Sequence, residues 1–238
     1  MAIFNPGVAI GQISGRIAGS VFSRNRGGAY IRNGAIPSAS NTDRALEVKG
    51  IMGVVSQAWA NLTANERAAW FRFAQSHPVT NRLGRSITLT GNNWFTKCNT
   101  ILLGVAEDQI LLPPTAPAPS GVVIEDFAVT VTAPTLDPSV FTVTVGDGAL
   151  PAGYVYEVFA CVVNSPSINY VRNLFTRIAV SAEVAGPALS LLTEAESVLG
   201  SLQVGNVYHV QVRLVDIATG LVSARTTAKV TAIASDPT

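Results

Sequence analysis

The chain has 238 residues, of which 13% are charged and 48% hydrophobic, with a net charge of +1. A charge content about half the usual ~25% excludes a strongly charged disordered chain. No apolar run approaches the ~20 residues that a membrane-crossing helix needs, and a surface so poor in charge is expected to be covered by other subunits. The opening residues, Met1-Ala-Ile-Phe-Asn-Pro-Gly, lack a basic start and an apolar stretch, so no secretory signal is read.

The small net charge hides a division. Residues 1–100 hold eleven Lys/Arg against three Asp/Glu, a balance of +8, and residues 101–238 hold five against twelve, a balance of −7. Such asymmetry speaks of partners, not fold. A basic half suits nucleic acid, the acidic half of a neighbouring copy, or an acidic protein shell.

Residues 1–40 are rich in glycine and hold four arginines and no acid. Ile10, Ile13, Ile17 and Val21 have helical spacing, but glycine at 7, 11, 15 and 19 costs such a helix ~1 kcal/mol each. Gln12, Ser14 and Arg16 break the Gly-x-x-x-Gly seam a membrane helix pair would use. The segment is expected to be an extended arm laid on another surface, since Phe4, Phe22, Tyr30 and Ile31 would be wasted in a solvated tail.

Residues 41–110 read as helical. Ser40-Asn-Thr-Asp43 offers caps, and Leu46, Val48, Ile51, Met52, Val55, Ala58, Trp59 and Leu62 follow at helical spacing. Thr63-Ala-Asn-Glu66 is a capping box opening a second helix through Trp70, Phe71, Phe73 and Ala74, which Pro78 ends. Arg85–Thr90 alternates as an extended segment, and Gly91-Asn-Asn opens a third helix carrying Trp94, Phe95, Cys98, Ile101 and Leu102. Aromatic residues at this spacing are read as core. Residues 111–120, with Pro113, Pro114, Pro117 and Pro119, are expected to form a semi-rigid linker.

Residues 121–238 read as all-β. Stretches at 122–132, 140–145, 154–163, 170–180, 206–215 and 221–231 are rich in β-branched residues and separated by turn signals, while Leu189–Gly200 suits a helical turn. About seven short strands in ~115 residues is the pattern of a two-sheet sandwich. The fold class is therefore α+β and multidomain: arm, helical region, linker, sandwich.

Two resemblances refine this. Leu202-Gln-Val-Gly205-Asn-Val-Tyr208-His-Val-Gln-Val resembles the approach to strand F of fibronectin type III domains, within the immunoglobulin-like sandwiches. In that family the tyrosine hydroxyl bonds back to upstream backbone, and Leu202, Gly205 and Tyr208 match by position. Val204 stands where the family usually has proline, and the early strands lack the usual tryptophan. The stretch from Gly19 through Arg24, Arg26, Gly27, Gly28 and Tyr30 to Arg32 is similar to the start of a group of uncharacterised proteins of tailed bacteriophages and prophages. So are Trp59-Ala-Asn-Leu-Thr-Ala-Asn-Glu-Arg67-Ala-Ala-Trp70 and Leu83-Gly-Arg-Ser-Ile-Thr-Leu-Thr-Gly91. This second resemblance spans about residues 15–105 and implies a virion component.

Chemistry is sparse. The two histidines, His77 and His209, have no nearby cysteine or carboxylate cluster, so no metal is expected. His77 ends a helix, where carbonyls explain it, and His209 is expected to face solvent or an interface. Cys98 and Cys161 are read as buried free thiols. No phosphate loop or hydrolase elbow occurs, and neither enzymatic activity nor a cofactor is expected.

The expected function is a virion structural protein, foremost an auxiliary or decoration (cement) protein of the capsid. Phe22, Arg24, Arg26, Gly27, Gly28, Tyr30 and Arg32 are its expected contacts with other virion proteins or with copies of itself in a homo-oligomer. A tail, neck or baseplate protein is the nearby variant. Nucleic-acid binding by the basic half and a cell-surface adhesion or carbohydrate-binding module are the readings from other classes.

Overall fold

The computed structural model describes residues 2–4 (backbone only), 12–25, 28–34, 42–81, 83–131, 139–146, 152–168, 170–181 and 188–234. Helices and sheets are mixed, with strands in the majority. The chain divides into two compact units, Met1–Gly104 with Asp108–Pro113, and Val105–Glu107 with Pro114–Thr238.

The first unit opens with an antiparallel sheet of β1 (Ala2–Phe4), β2 (Gly15–Ile17), β3 (Ser20–Asn25) and β4 (Gly28–Asn33), in the order β1-β4-β3-β2. The expected extended arm is thus corrected: its strands pair with one another. The chain turns between β2 and β3 at Ala18-Gly19, and Gly15 and Gly28 stand at the first positions of β2 and β4. Gly15 and Gly28 take φ of +115° and +112°, where a Cβ is disfavoured. Val21, Phe22, Tyr30 and Ile31 then supply strand-forming side chains between them.

Helix α1 (Asp43–Asn61) starts at Thr42, whose Oγ1 accepts from the Ala45 N–H. Helix α2 (Ala64–Ser76) has the full capping box: the Glu66 N–H donates to Thr63 Oγ1 at 3.3 Å, and the Thr63 N–H to Glu66 Oε2 at 2.7 Å. The Thr63 hydroxyl, which donates to Glu66 Oε2 at 2.7 Å, and then the Thr63 N–H hold the Glu66 carboxyl below its ordinary pKa. A short hairpin of β5 (Val79–Thr80) and β6 (Ser86–Ile87) leads to α3 (Gly91–Gly104).

Trp70 and Phe95 are fully buried and meet edge-on at 5.4 Å, with Trp59 at 5.3 Å from Phe95 and Phe73 at 5.3 Å from Trp94. Leu46, Val48 and Met52, noted above for their helical spacing, are exposed. At ~1.5 Å per residue α1 is ~29 Å long and its partners ~20 Å, so its first half outruns them. Val55 is its one fully buried side chain. Asn99 is wholly buried: its amide donates to the carbonyls of Phe95 and Ile110, and its Oδ1 accepts from the Ile110 N–H at 2.8 Å. Trp70 Nε1 donates to the Leu111 carbonyl at 2.8 Å. Residues 111–113 accordingly belong to the helical unit, a shift from the linker expected over 111–120.

The second unit holds two four-stranded sheets. One is β10 (Thr176–Ser181), β9 (Tyr154–Val163), β12 (Val207–Asp216) and β13 (Thr226–Thr231), in the order β10-β9-β12-β13. The other is β11 (Ala188–Ser190), β8 (Val140–Val145), β7 (Ile124–Val131) and β14 (Ile233–Ala234), in the order β11-β8-β7-β14, with β14 parallel to β7. Alternate side chains of both merge in one core that includes Val129, Phe141, Val143, Val158, Val210 and Val212. Each such side chain contributes roughly 1.5–3 kcal/mol on burial. Helix α4 (Leu192–Leu199) adds Ala195 to that core. β7, β8, β9 and β13 fall within the stretches read as strands, and β12 runs one residue past the stretch 206–215; β11 and β14 were not foreseen, and only 176–180 of the stretch 170–180 is strand.

Candidate functional site

The N-terminal sheet separates the residues expected to make contacts. Phe22 pairs with Ile31 and Arg24 with Ala29, which puts Phe22 and Arg24 on one face. Tyr30 pairs with Ser23 and Arg32 with Val21, so Tyr30 and Arg32 belong to the opposite face. Gly28 closes the register opposite Asn25, while Arg26 and Gly27 lie outside the described residues. No described side chain of β2, β3 or β4 is buried; all are half-buried or exposed. Beyond this sheet the first unit also exposes Leu46, Val48, Met52 and Val54 on α1.

In the second unit Leu202, Gly205 and Tyr208 come together. Tyr208 is 2% exposed, and its hydroxyl accepts from the Gln203 N–H at 3.0 Å. Gly205 takes φ +84° in the turn that brings the chain back, and Leu202 is buried in the same core.

His77 caps α2, with Nδ1 2.9 Å from the Phe73 carbonyl and its ring stacked on Phe73 at 4.0 Å. Of the two alternatives for His209, solvent or interface, the first does not hold: it is 5% exposed, and its Nε2 has no hydrogen-bond partner among the described residues. It lies between Cys161 and Lys229 on neighbouring strands. Burial, then the Lys229 charge, hold its pKa below the ordinary value. Both cysteines are free and buried, and burial raises Cys98 to about 12 and Cys161 to about 11. Neither thiolate forms near neutral pH.

A cluster that periodicity could not reveal sits on the β9–β12 face away from the core. Buried Glu157 accepts from Arg213 Nε at 2.7 Å and from Arg177 at 3.4 Å. The Phe159 ring next to it carries the guanidinium of Arg225 at 4.0 Å and that of Arg213 at 5.4 Å. The sequence signal was the alternation of Glu157 with Phe159 and of Gln211 with Arg213, but the partner strands come from distant positions.

Among the described residues no group of three His, Cys, Asp or Glu could hold a metal ion, and no helix is long and apolar enough to cross a membrane. No protein-family model and no curated protein matches the chain. Among solved structures, CopC from Methylosinus trichosporium OB3b is 14% identical and aligns over 48% of this chain and 90% of its own, with a TM-score of 0.23. At that score the likeness carries no argument about this chain.

Proposed function

We propose that the protein is a structural component of a bacteriophage virion, an auxiliary or decoration protein of the capsid. It docks through its first unit and projects its second, an immunoglobulin/fibronectin III-like sandwich domain. The observation that carries the docking half of this reading is the N-terminal sheet. It has four paired strands and not one buried described side chain, so it lacks a core of its own. The +8 balance of residues 1–100 and the exposed apolar residues of α1 favour the same half as the one covered by neighbours. The phage assignment itself rests on the sequence resemblance of residues ~15–105. The bond from the Gln203 N–H to the Tyr208 hydroxyl, with Leu202 and Gly205 beside it, supports the fibronectin III-like reading.

The role is non-enzymatic, and the partners are other virion proteins and further copies of this chain. Mass spectrometry of purified particles of the encoding phage tests it. The chain is expected in stoichiometric amount, and its absence from particles overturns the proposal. Deleting residues 1–38 should abolish incorporation while the second unit keeps its melting transition; normal incorporation of the truncated chain would contradict docking through this segment.

A further inference from the structure

We infer that the outward face of the β10-β9-β12-β13 sheet is a docking surface for a compact cluster of carboxylates on a partner protein. The register fixes which residues share this face. Val207, His209, Gln211 and Arg213 of β12 pair with Val163, Cys161, Phe159 and Glu157 of β9, and their intervening neighbours Tyr208, Val210 and Val212 enter the core. Arg177 pairs with Phe159, and Lys229 with His209, so β10 and β13 add a cation each. Arg225 lies on the ring of Phe159 just before β13. Arg172 stands beside Val171, whose side chain packs on the same face against Cys161 and Val207.

Residues 101–238 carry five Lys/Arg in all, and these are Arg172, Arg177, Arg213, Arg225 and Lys229. A stretch with a balance of −7 thus places four of its five positive charges, Arg177, Arg213, Arg225 and Lys229, on or at the edge of one sheet face. Of the described residues that these four strands turn outward, Glu157 is the only acid, and it is engaged by Arg213 and Arg177. Arg225 and Lys229 are exposed, and among the described residues the ion pairs of this face fall to Arg177 and Arg213. Arg225 is oriented by the Phe159 ring and by its bond to Gln211 Oε1 at 3.3 Å. Burial first and the like charge of Arg213 second lower its pKa, and the Glu157 carboxylate offsets part of this.

The occupant follows from charge and shape. Four of the five cations are arginines, whose planar forks suit carboxylates, and Arg213 on Glu157 already shows that pairing here. A nucleic acid would carry its phosphates beyond the patch over a stretch whose balance is −7, whereas a compact acidic patch would not. The inference is independent of the virion assignment.

The test uses the full chain, titrated with a short poly-glutamate peptide and, separately, with a single-stranded oligonucleotide of similar charge, at low and at raised salt. Binding is followed by chemical-shift changes. The peptide should bind saturably and salt-sensitively, shift the Gln211 side-chain amide, and bind more tightly than the oligonucleotide. The double variant Arg225→Glu/Lys229→Glu should weaken peptide binding by at least about tenfold. The neutral pair Arg225→Gln/Lys229→Gln should fall between, and guards against misfolding of the first variant. Arg72→Glu, on α2, should bind as the parent does. No peptide binding, binding unchanged in both double variants, or tighter binding of the oligonucleotide would each overturn the inference.

Discussion

His209 shows how much a single alternating position can conceal. It sits in a strand of outward polar residues, yet flanking strands bury it and leave Nε2 without a partner. Its folded pKa lies below the ordinary 6.5, through burial first and the Lys229 charge second. The unfolded chain then binds more protons between the two values, so stability is complete above pH ~6.5 and falls as pH drops toward the folded pKa. Thermal melts should show a loss of stability from pH 7 to pH 5 that His209→Gln reduces; an identical pH profile in the variant would assign the loss to other groups. Asn99 is the complementary case, a buried polar side chain whose amide nitrogen and oxygen both find partners: it ties Ile110 to α3 through two bonds and Phe95 through a third.

Among the elements, the approach of α2 and α3 depends on one glycine. A Cβ on Gly91 would lie 2.8 Å from the Phe71 nitrogen and 2.9 Å from the Trp70 carbonyl carbon, both backbone atoms. Gly91→Ala must therefore push the helices apart and disturb the Trp70–Phe95 contact, at a cost of roughly 1–3 kcal/mol. Chemical denaturation should show that loss, while Gly50→Ala, where nothing lies within 4 Å, should be neutral or stabilising. Equal effects of the two substitutions would contradict this account. The helices themselves were legible because capping boxes and apolar spacing are local; that α1 outruns its partners was not, because it depends on the lengths of three helices together. The N-terminal strands were read as an extended arm laid on another surface, because glycine spacing weakens a helix and does not reveal that the strands pair with one another.

For the whole molecule, the division near residue 113 predicts independent folding of the second unit. A fragment of residues 114–238 should melt cooperatively and keep Cys161 unreactive toward thiol reagents until it unfolds, as the raised thiol pKa of about 11 and its burial require. A fragment whose thiol reacts at once under native conditions would refute that independence.

Patterns a few residues long, the Thr63–Glu66 box, the β-branched runs and the Leu202-Gly205-Tyr208 spacing, were set by sequence alone, because capping and alternation act between near neighbours. The sign of the charge balance in each half was equally plain in composition. Which charges share a face was decided only in the tertiary structure. Glu157, Phe159, Arg213 and Arg225 come from three segments of the chain, and pairing of β9 with β12 and of β12 with β13 makes them neighbours. Strand register converts a diffuse composition into a localised field, and register is a property of the folded sheet.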